Sequence, residues 1–202
     1  VSAVAGAANG ASIARGSSFL REKMGERVLP AGLSILDDPH RPRGLRSKPF
    51  DAEGLPTAPR AIVDDGVLTS WLLDLRSARK LGLAPTGHAS RGAGGPPSPG
   101  ATNLHLTPGA RTPEALIGEI DAGLFIMEMM GQGVNPVTGD YSRGAAGFWI
   151  EKGEIAHPVS ELTIAGNLKA MLLDLEPAND LVFRYGVNAP TLRFGALTIA
   201  GG

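Results

Sequence analysis

Two short turns limit what this chain can fold into. In "RAIVDDGVLTSWLLD", Asp65-Gly66 separates two apolar, partly β-branched runs. In "YSRGAAGFWIEKGEIAHPV", Lys152-Gly153 stands in the same relation to its flanks. A two-residue step ending in glycine suits the tight turns between antiparallel strands, because those turns need positive φ. The 28 glycines and 16 prolines, set against 5% aromatics, point the same way, to many short elements joined by turns rather than a helical bundle. The expected fold is therefore α+β: mainly antiparallel β-hairpins and sheet, with several short helices. At 202 residues the chain fits a single domain, residues 1–202.

The other segments can be placed around those hairpins. "GLSILDD" is a strand running into a turn at Asp37-Asp38-Pro39. "PHRPRGLRSKPFDAEGLPTAPR" is a long loop. "SARKLG" is a short helix closed by Gly82. "TNLHLTPG" alternates as a strand. Thr112 and Pro113 have the side chains of a helix cap and a first helical position. "GLFIMEMMG" is a strand or a buried helix; its pattern fits either. "AGNLKAMLLDL" is a short amphipathic helix, and "NDLVFR" and "TLRFGALTIAGG" are closing strands. The stretch Thr86–Gly100, rich in Gly, Pro and Ser, has little to bury and is expected to be the most mobile.

The opening "VSAVAGAANGASIARGSSFL" lacks the apolar length of a membrane span and the basic leader of a signal peptide. It reads as a helix to about Met24 with a break near "RGSS". Gly6 and Gly10, four apart, should form a flat face pressed against other backbone. A chain that starts in mid-helix is expected to be part of something longer.

Several chemistries are excluded or weakened. With no cysteine there is no disulfide or thiolate metal site. A net charge of −1 argues against a dedicated nucleic-acid binder. No long apolar run spans a membrane. His40, His88, His105 and His157 each stand alone, without metal-ligand spacing. Ser17, Ser18 and Ser142 lack the strained frame of a nucleophile. "RGAGGPPSPG" lacks the Gly-Lys-Ser/Thr ending of a phosphate loop, and Asp37-Asp38 reads as a turn cap. The densest candidate is Asp140, Tyr141, Arg143, Gly144, Ala145, Ala146, Gly147 and Phe148. Small side chains leave a strand backbone open, so an extended peptide or partner could add to it. Packing against the opening Ala/Gly helix explains the same residues.

Seven segments in order resemble the TldD/PmbA family, and its PmbA (TldE) branch more closely. They are "ARGSSFL", "FDAEGLPT", "GVLTSWLLDLRSARKLGL", "TGHAS", "NLHLTPG", "GVNPVTGDYSRGAAGFWIEKGEIAHPV" and "ELTIAGNL". The resemblance covers nearly the whole chain and corresponds to the C-terminal half of a family member. It implies pairing with a TldD-like subunit, a zinc protease that carries HExxxH on a helix and completes its site with a late cysteine loop. The paired subunits cleave unfolded peptides in a closed cytoplasmic chamber. Aligned at the "RG(S/T)S" step, Val1, Ser2 and Gly6 stand where the catalytic branch has His, Glu and His. The segment "NDLVFRYGVNAPTLRF" has no cysteine loop. The resemblance thus implies a metal-free, non-catalytic subunit without its own cofactor, zinc being held by the partner. A homodimer is the other assembly it allows. A free-standing regulatory or binding module, under the family's older label of DNA gyrase modulator, is the alternative function. An independent hydrolase using Asp140 or a histidine is a third reading.

Overall fold

The computed structural model describes residues 1–201. Helices α1 (Ser2–Ala7) and α2 (Gly10–Arg15) open the chain. The expected longer helix is interrupted at Asn9, whose backbone is extended (φ −67, ψ 120). Its side chain accepts from the Ala11 and Ser12 amides, capping α2, and its backbone bridges to Leu72. Gly16, at φ 75, closes α2. An Asn cap hidden in an Ala-rich run thus ends one helix and starts the next.

Strand β1 (Ile35–Asp37) leads through the long loop to β2 (Arg60–Asp64) and β3 (Val67–Leu68). Asp65 (φ 45) and Gly66 (φ 79) turn that hairpin as expected. Helix α3 (Leu75–Leu81) starts at a capping box of Asp74 and Ser77 and ends at Gly82, φ 68. Strands β4 (Ala89–Ser90) and β5 (Ser98–Pro99) pair across the Gly/Pro-rich stretch. That stretch is tied down at its ends: His88 and Ala89 are buried, and its longest exposed run is Ser90–Gly94. Strand β6 (Leu104–Leu106) and helix α4 (Pro113–Ile117) follow, the latter capped by the Thr112 hydroxyl accepting from Ala115.

The ambiguous "GLFIMEMMG" is strand β7 (Ala122–Met130). Strands β8 (Asp140–Glu151) and β9 (Glu154–Asn167) form the second expected hairpin, turned by Lys152 (φ 52) and Gly153 (φ 81). Helix α5 (Leu168–Leu173) follows, then strands β10 (Glu176–Pro177), β11 (Val187–Asn188), β12 (Leu192–Arg193) and β13 (Thr198–Ala200). "NDLVFR" is not a strand. The free edge of β6 is taken by β11, and Asn188 instead ties Arg184 and Tyr185 into a turn.

Five strands in the order β11-β6-β1-β2-β3 form one sheet, in which only β11 and β6 run parallel. A second, antiparallel sheet has the order β13-β9-β8-β7. The core joins Ile35, Ile62, Leu68 and Leu104 to Val4 and Ile13 of the opening helices and to Leu168 and Met171 of α5. No helix among the described residues is long and apolar enough to cross a membrane.

The two opening glycines are not equivalent. Gly10 is buried, and a Cβ there would lie 2.6 Å from both Leu73 Cδ2 and Ser77 Oγ and 2.7 Å from the Leu72 carbonyl. Gly6 is exposed, with nothing within 4 Å of such a Cβ. The flat, close-packed face belongs to Gly10; the expectation for Gly6 is corrected, because the break at Asn9 sends the two glycines into different helices.

Candidate functional site

Two surfaces carry the predicted residues. The first is α1. Val4 and Ala7 are buried, which leaves Ser2 and Gly6 on the solvent side of the helix. Val1 is half-buried against the core. The open face of this helix therefore offers a hydroxyl and a hydrogen atom, with no imidazole or carboxylate. Among the described residues, no three His, Asp or Glu side chains gather as a metal site would require.

The second surface is the β7–β8–β9 sheet. Strand β8 is hydrogen-bonded to β7 on one side and to β9 on the other. A peptide cannot pair with Gly144–Phe148 while both neighbours are in place, so strand addition at β8 is corrected. The glycines serve this chain's own packing. A Cβ on Gly147 would run into the Phe125 carbonyl of β7, beside the bulge between Ile126 and Glu128. Ala145 is fully buried opposite Leu162. The outer strands are β13 and β7, and the longer open edge is that of β7. Its nine residues carry one charge, Glu128. Met127, Met129 and Met130 are about half exposed or more, and Phe148 lies on the neighbouring strand, also exposed.

Asp140, Tyr141 and Arg143 occupy the start of β8. The Asp140 carboxylate accepts from the Thr138 hydroxyl (2.6 Å) and the Asn167 amide (3.0 Å), fixing the base of the hairpin. Those two bonds, the Thr138 bond first, with nearby Lys169, hold its pKa below the ordinary value. A carboxylate so engaged has a structural role at the hairpin base, and a lowered pKa makes it a weaker base. Tyr141 donates to Met129 Sδ (3.1 Å), and Arg143 donates from Nη2 to the Met129 carbonyl (3.1 Å). Both side chains thus reach across to β7, and Ala146 and Gly144 face Glu128 and Met130 in the ladder.

Two of the histidines, His88 and His40, are tied into the fold by hydrogen bonds. His88, 2% exposed, contacts Asp37 Oδ2 through Nε2 (3.1 Å) and the Thr86 hydroxyl through Nδ1 (2.8 Å). Asp37 also accepts from the Thr102 amide (2.8 Å) and hydroxyl (2.6 Å). The residue read as a turn cap is a buried acceptor that clasps three segments. His40 bonds the Thr57 hydroxyl at 3.0 Å, and His157 is exposed on β9. Sequence reasoning missed the β7 edge. The near absence of charge across its nine residues was the available signal.

Comparison with known proteins agrees with this architecture. The model of the PmbA/TldA metallopeptidase C-terminal domain matches residues 1–201. The chain is 46% identical over 197 residues to Metalloprotease PmbA of Escherichia coli O157:H7, covering 97% of this chain and 42% of that protein. The crystal structure of a candidate modulator of DNA gyrase from Bacteroides thetaiotaomicron superposes with a TM-score of 0.88 at 31% identity, over 99% of this chain and 44% of that one. TldE from Thermococcus kodakarensis superposes with a TM-score of 0.86 at 28% identity, over 97% of this chain and 46% of that one. The chain thus spans less than half the length of the relatives it matches. With a family model over all the described residues and a relative at 46% identity, the chain belongs to the PmbA/TldD metallopeptidase family, where it corresponds to the C-terminal domain.

Proposed function

We propose that this chain is the metal-free, non-catalytic TldE-like member of a two-subunit zinc metalloprotease that processes unfolded peptides in the cytoplasm. Residues 1–202 act as its C-terminal domain. The observation that carries this reading is the chemistry of α1. Aligned by the family resemblance, Val1, Ser2 and Gly6 fall where the catalytic branch has His, Glu and His, and none of the three offers an imidazole or a carboxylate. The zinc then resides in the TldD-like partner. The exposed Met-rich edge of β7 supports a role in pairing with that subunit or with extended peptide, since main-chain bonds along a strand edge accept many sequences. Tyr141 and Arg143 brace that edge from β8. A homodimer would use the same edge.

The test is to purify this chain and an HExxxH paralogue separately and together, then measure zinc content and peptidase activity. The expected result is zinc in the paralogue alone and cleavage only by the co-purified pair. About one tightly held zinc in this chain, or cleavage by it alone, refutes the reading. The description of the Bacteroides structure favours a second function, a free-standing module that modulates DNA gyrase. Failure to co-purify with the paralogue, with a direct effect on gyrase, would select it.

A further inference from the structure

We propose that the cleft between the 41–45 turn and the 183–185 turn binds a carboxylate carried by a peptide, either an acidic side chain or a chain end. This rests on the reading that the protein handles extended peptides. The cleft holds about 240 Å³, and its lining includes Arg41, Arg43 and Arg184 together with Leu45, Phe183 and Tyr185. No Asp or Glu lines it. None of the three arginines forms an ion pair among the described residues, where the ion pairs lie elsewhere. With three arginines and no carboxylate along its lining, the cleft favours an anion.

The backbone that carries the arginines is held in place. The first turn is built on Asn103, 2% exposed. Its Oδ1 accepts from the Arg46 amide (3.0 Å), and its Nδ2 donates to the Asp38 carbonyl (2.8 Å) and to Ser47 Oγ (2.9 Å). Ser47 Oγ donates in turn to the Arg41 carbonyl (2.7 Å). Within this turn Arg43 takes φ 58, a left-handed backbone that arginine rarely adopts. The second turn repeats the device. Asn188 Oδ1 accepts from the Arg184 and Tyr185 amides, both at 2.9 Å, and Nδ2 donates to the Tyr185 carbonyl (2.7 Å). Asn103 directly precedes β6 and Asn188 lies on β11, and these strands are paired neighbours. Both turns are therefore fixed to one sheet edge.

Arg41 lies over the Phe183 ring, 3.2 Å from its centroid, and Phe183 meets His105 edge-on at 5.0 Å. Stacking uses the face of the guanidinium and leaves its N–H rim available to donate. Leu45 and Tyr185, 72% and 71% exposed, supply apolar walls that a bare inorganic ion would not use. The volume admits one side chain or chain end, and planar guanidinium forks match a carboxylate.

The test is calorimetric titration of the purified chain with three probes: N-acetyl-leucine, N-acetyl-glutamate α-amide and N-acetyl-leucine amide. The first presents a chain-end carboxylate, the second a side-chain carboxylate, the third neither. At least one acid should bind and the amide should not; the tighter acid identifies the source. Arg43→Gln with Arg184→Gln should weaken the acid about tenfold or more through lost charge-assisted bonds. Both side chains are exposed, so the double variant should melt with wild type; Arg43→Lys, which keeps charge but loses the fork, should fall between. Equal binding of amide and acid, an unchanged double variant, or no binding of any probe at millimolar concentration overturns the site. The readout needs neither partner nor peptidase. A bound acid without peptide cleavage by the assembly would keep the site and remove the protease-subunit reading, and the converse would remove the site alone.

Discussion

Replacing Gly10 and Gly6 by alanine separates close packing from helix propensity. In an exposed helix interior, Gly→Ala stabilises by up to about 1 kcal/mol. Gly6 is exposed and has space for the methyl group, so Gly6→Ala should show that gain. At Gly10 the same methyl would meet Leu73 Cδ2, Ser77 Oγ and the Leu72 carbonyl at 2.6, 2.6 and 2.7 Å. The Leu73 methyl can rotate away. Ser77 Oγ is held by the Asp74 carboxylate at 2.6 Å, and the Leu72 carbonyl accepts from the Gly10 amide itself at 2.8 Å. Relieving the overlap therefore means parting α2 from α3 and stretching that bond. Overpacking of this kind costs about 1–3 kcal/mol. The first-turn position of Gly10 returns little propensity, so Gly10→Ala should be destabilising overall. For a chain of this size, about 1 kcal/mol moves the midpoint by roughly 2–4 °C. Thermal unfolding followed by circular dichroism should show Gly6→Ala at or above wild type and Gly10→Ala below it. If Gly10→Ala melts with wild type or above, the packing argument is wrong.

Asp140 gives a pH signature. Its folded pKa is depressed by Thr138 and Asn167, so its contribution is present above the unfolded pKa and is lost as pH falls through the folded value. The melting difference between wild type and Asp140→Asn should be constant near neutral pH and shrink in the acid range below the ordinary carboxylate pKa; a difference that persists unchanged into strong acid contradicts the assignment. Limited trypsin digestion should cut first at Arg91, exposed between the anchored pair β4 and β5, and first cleavage within 140–167 would contradict this. Arg143→Ala loses one bond to the Met129 carbonyl and should cost about 1 kcal/mol of stability while weakening partner pairing or cleavage by the assembly further than that loss explains. A variant that assembles and cleaves normally would end the interface role of Arg143.

Local features were legible because they are set by residues close in sequence. Both hairpin turns follow from a residue-plus-glycine step that accepts positive φ, and Thr112-Pro113 and Gly82 mark helix ends by cap chemistry. What crosses the chain was hidden. Asp37 reads as a turn residue until the fold brings His88 and Thr102 to it, 51 and 65 positions away. The small residues of β8 suggested an open backbone, but whether a strand is interior depends on partners that its own sequence does not name. Strand β7 lacks clean alternation because much of it is exposed on both faces, so its period could not separate strand from helix. The cationic cleft reads as loop in the sequence, since "RPRGLRSK" does not say which arginines will lack a carboxylate.

An apolar strand edge of nine residues would ordinarily invite copies of the protein to stack into filaments. The bulge between Ile126 and Glu128 divides this one into two short pieces, and two further register shifts between β8 and β9 coil the sheet behind it. Glu161, at φ 58, lies in the first of those irregularities. A curved, interrupted edge fits one shaped counterpart and defeats the endless repetition that flat strands allow. Polymerisation is thus resisted by geometry rather than by charge, and the edge can stay rich in methionine.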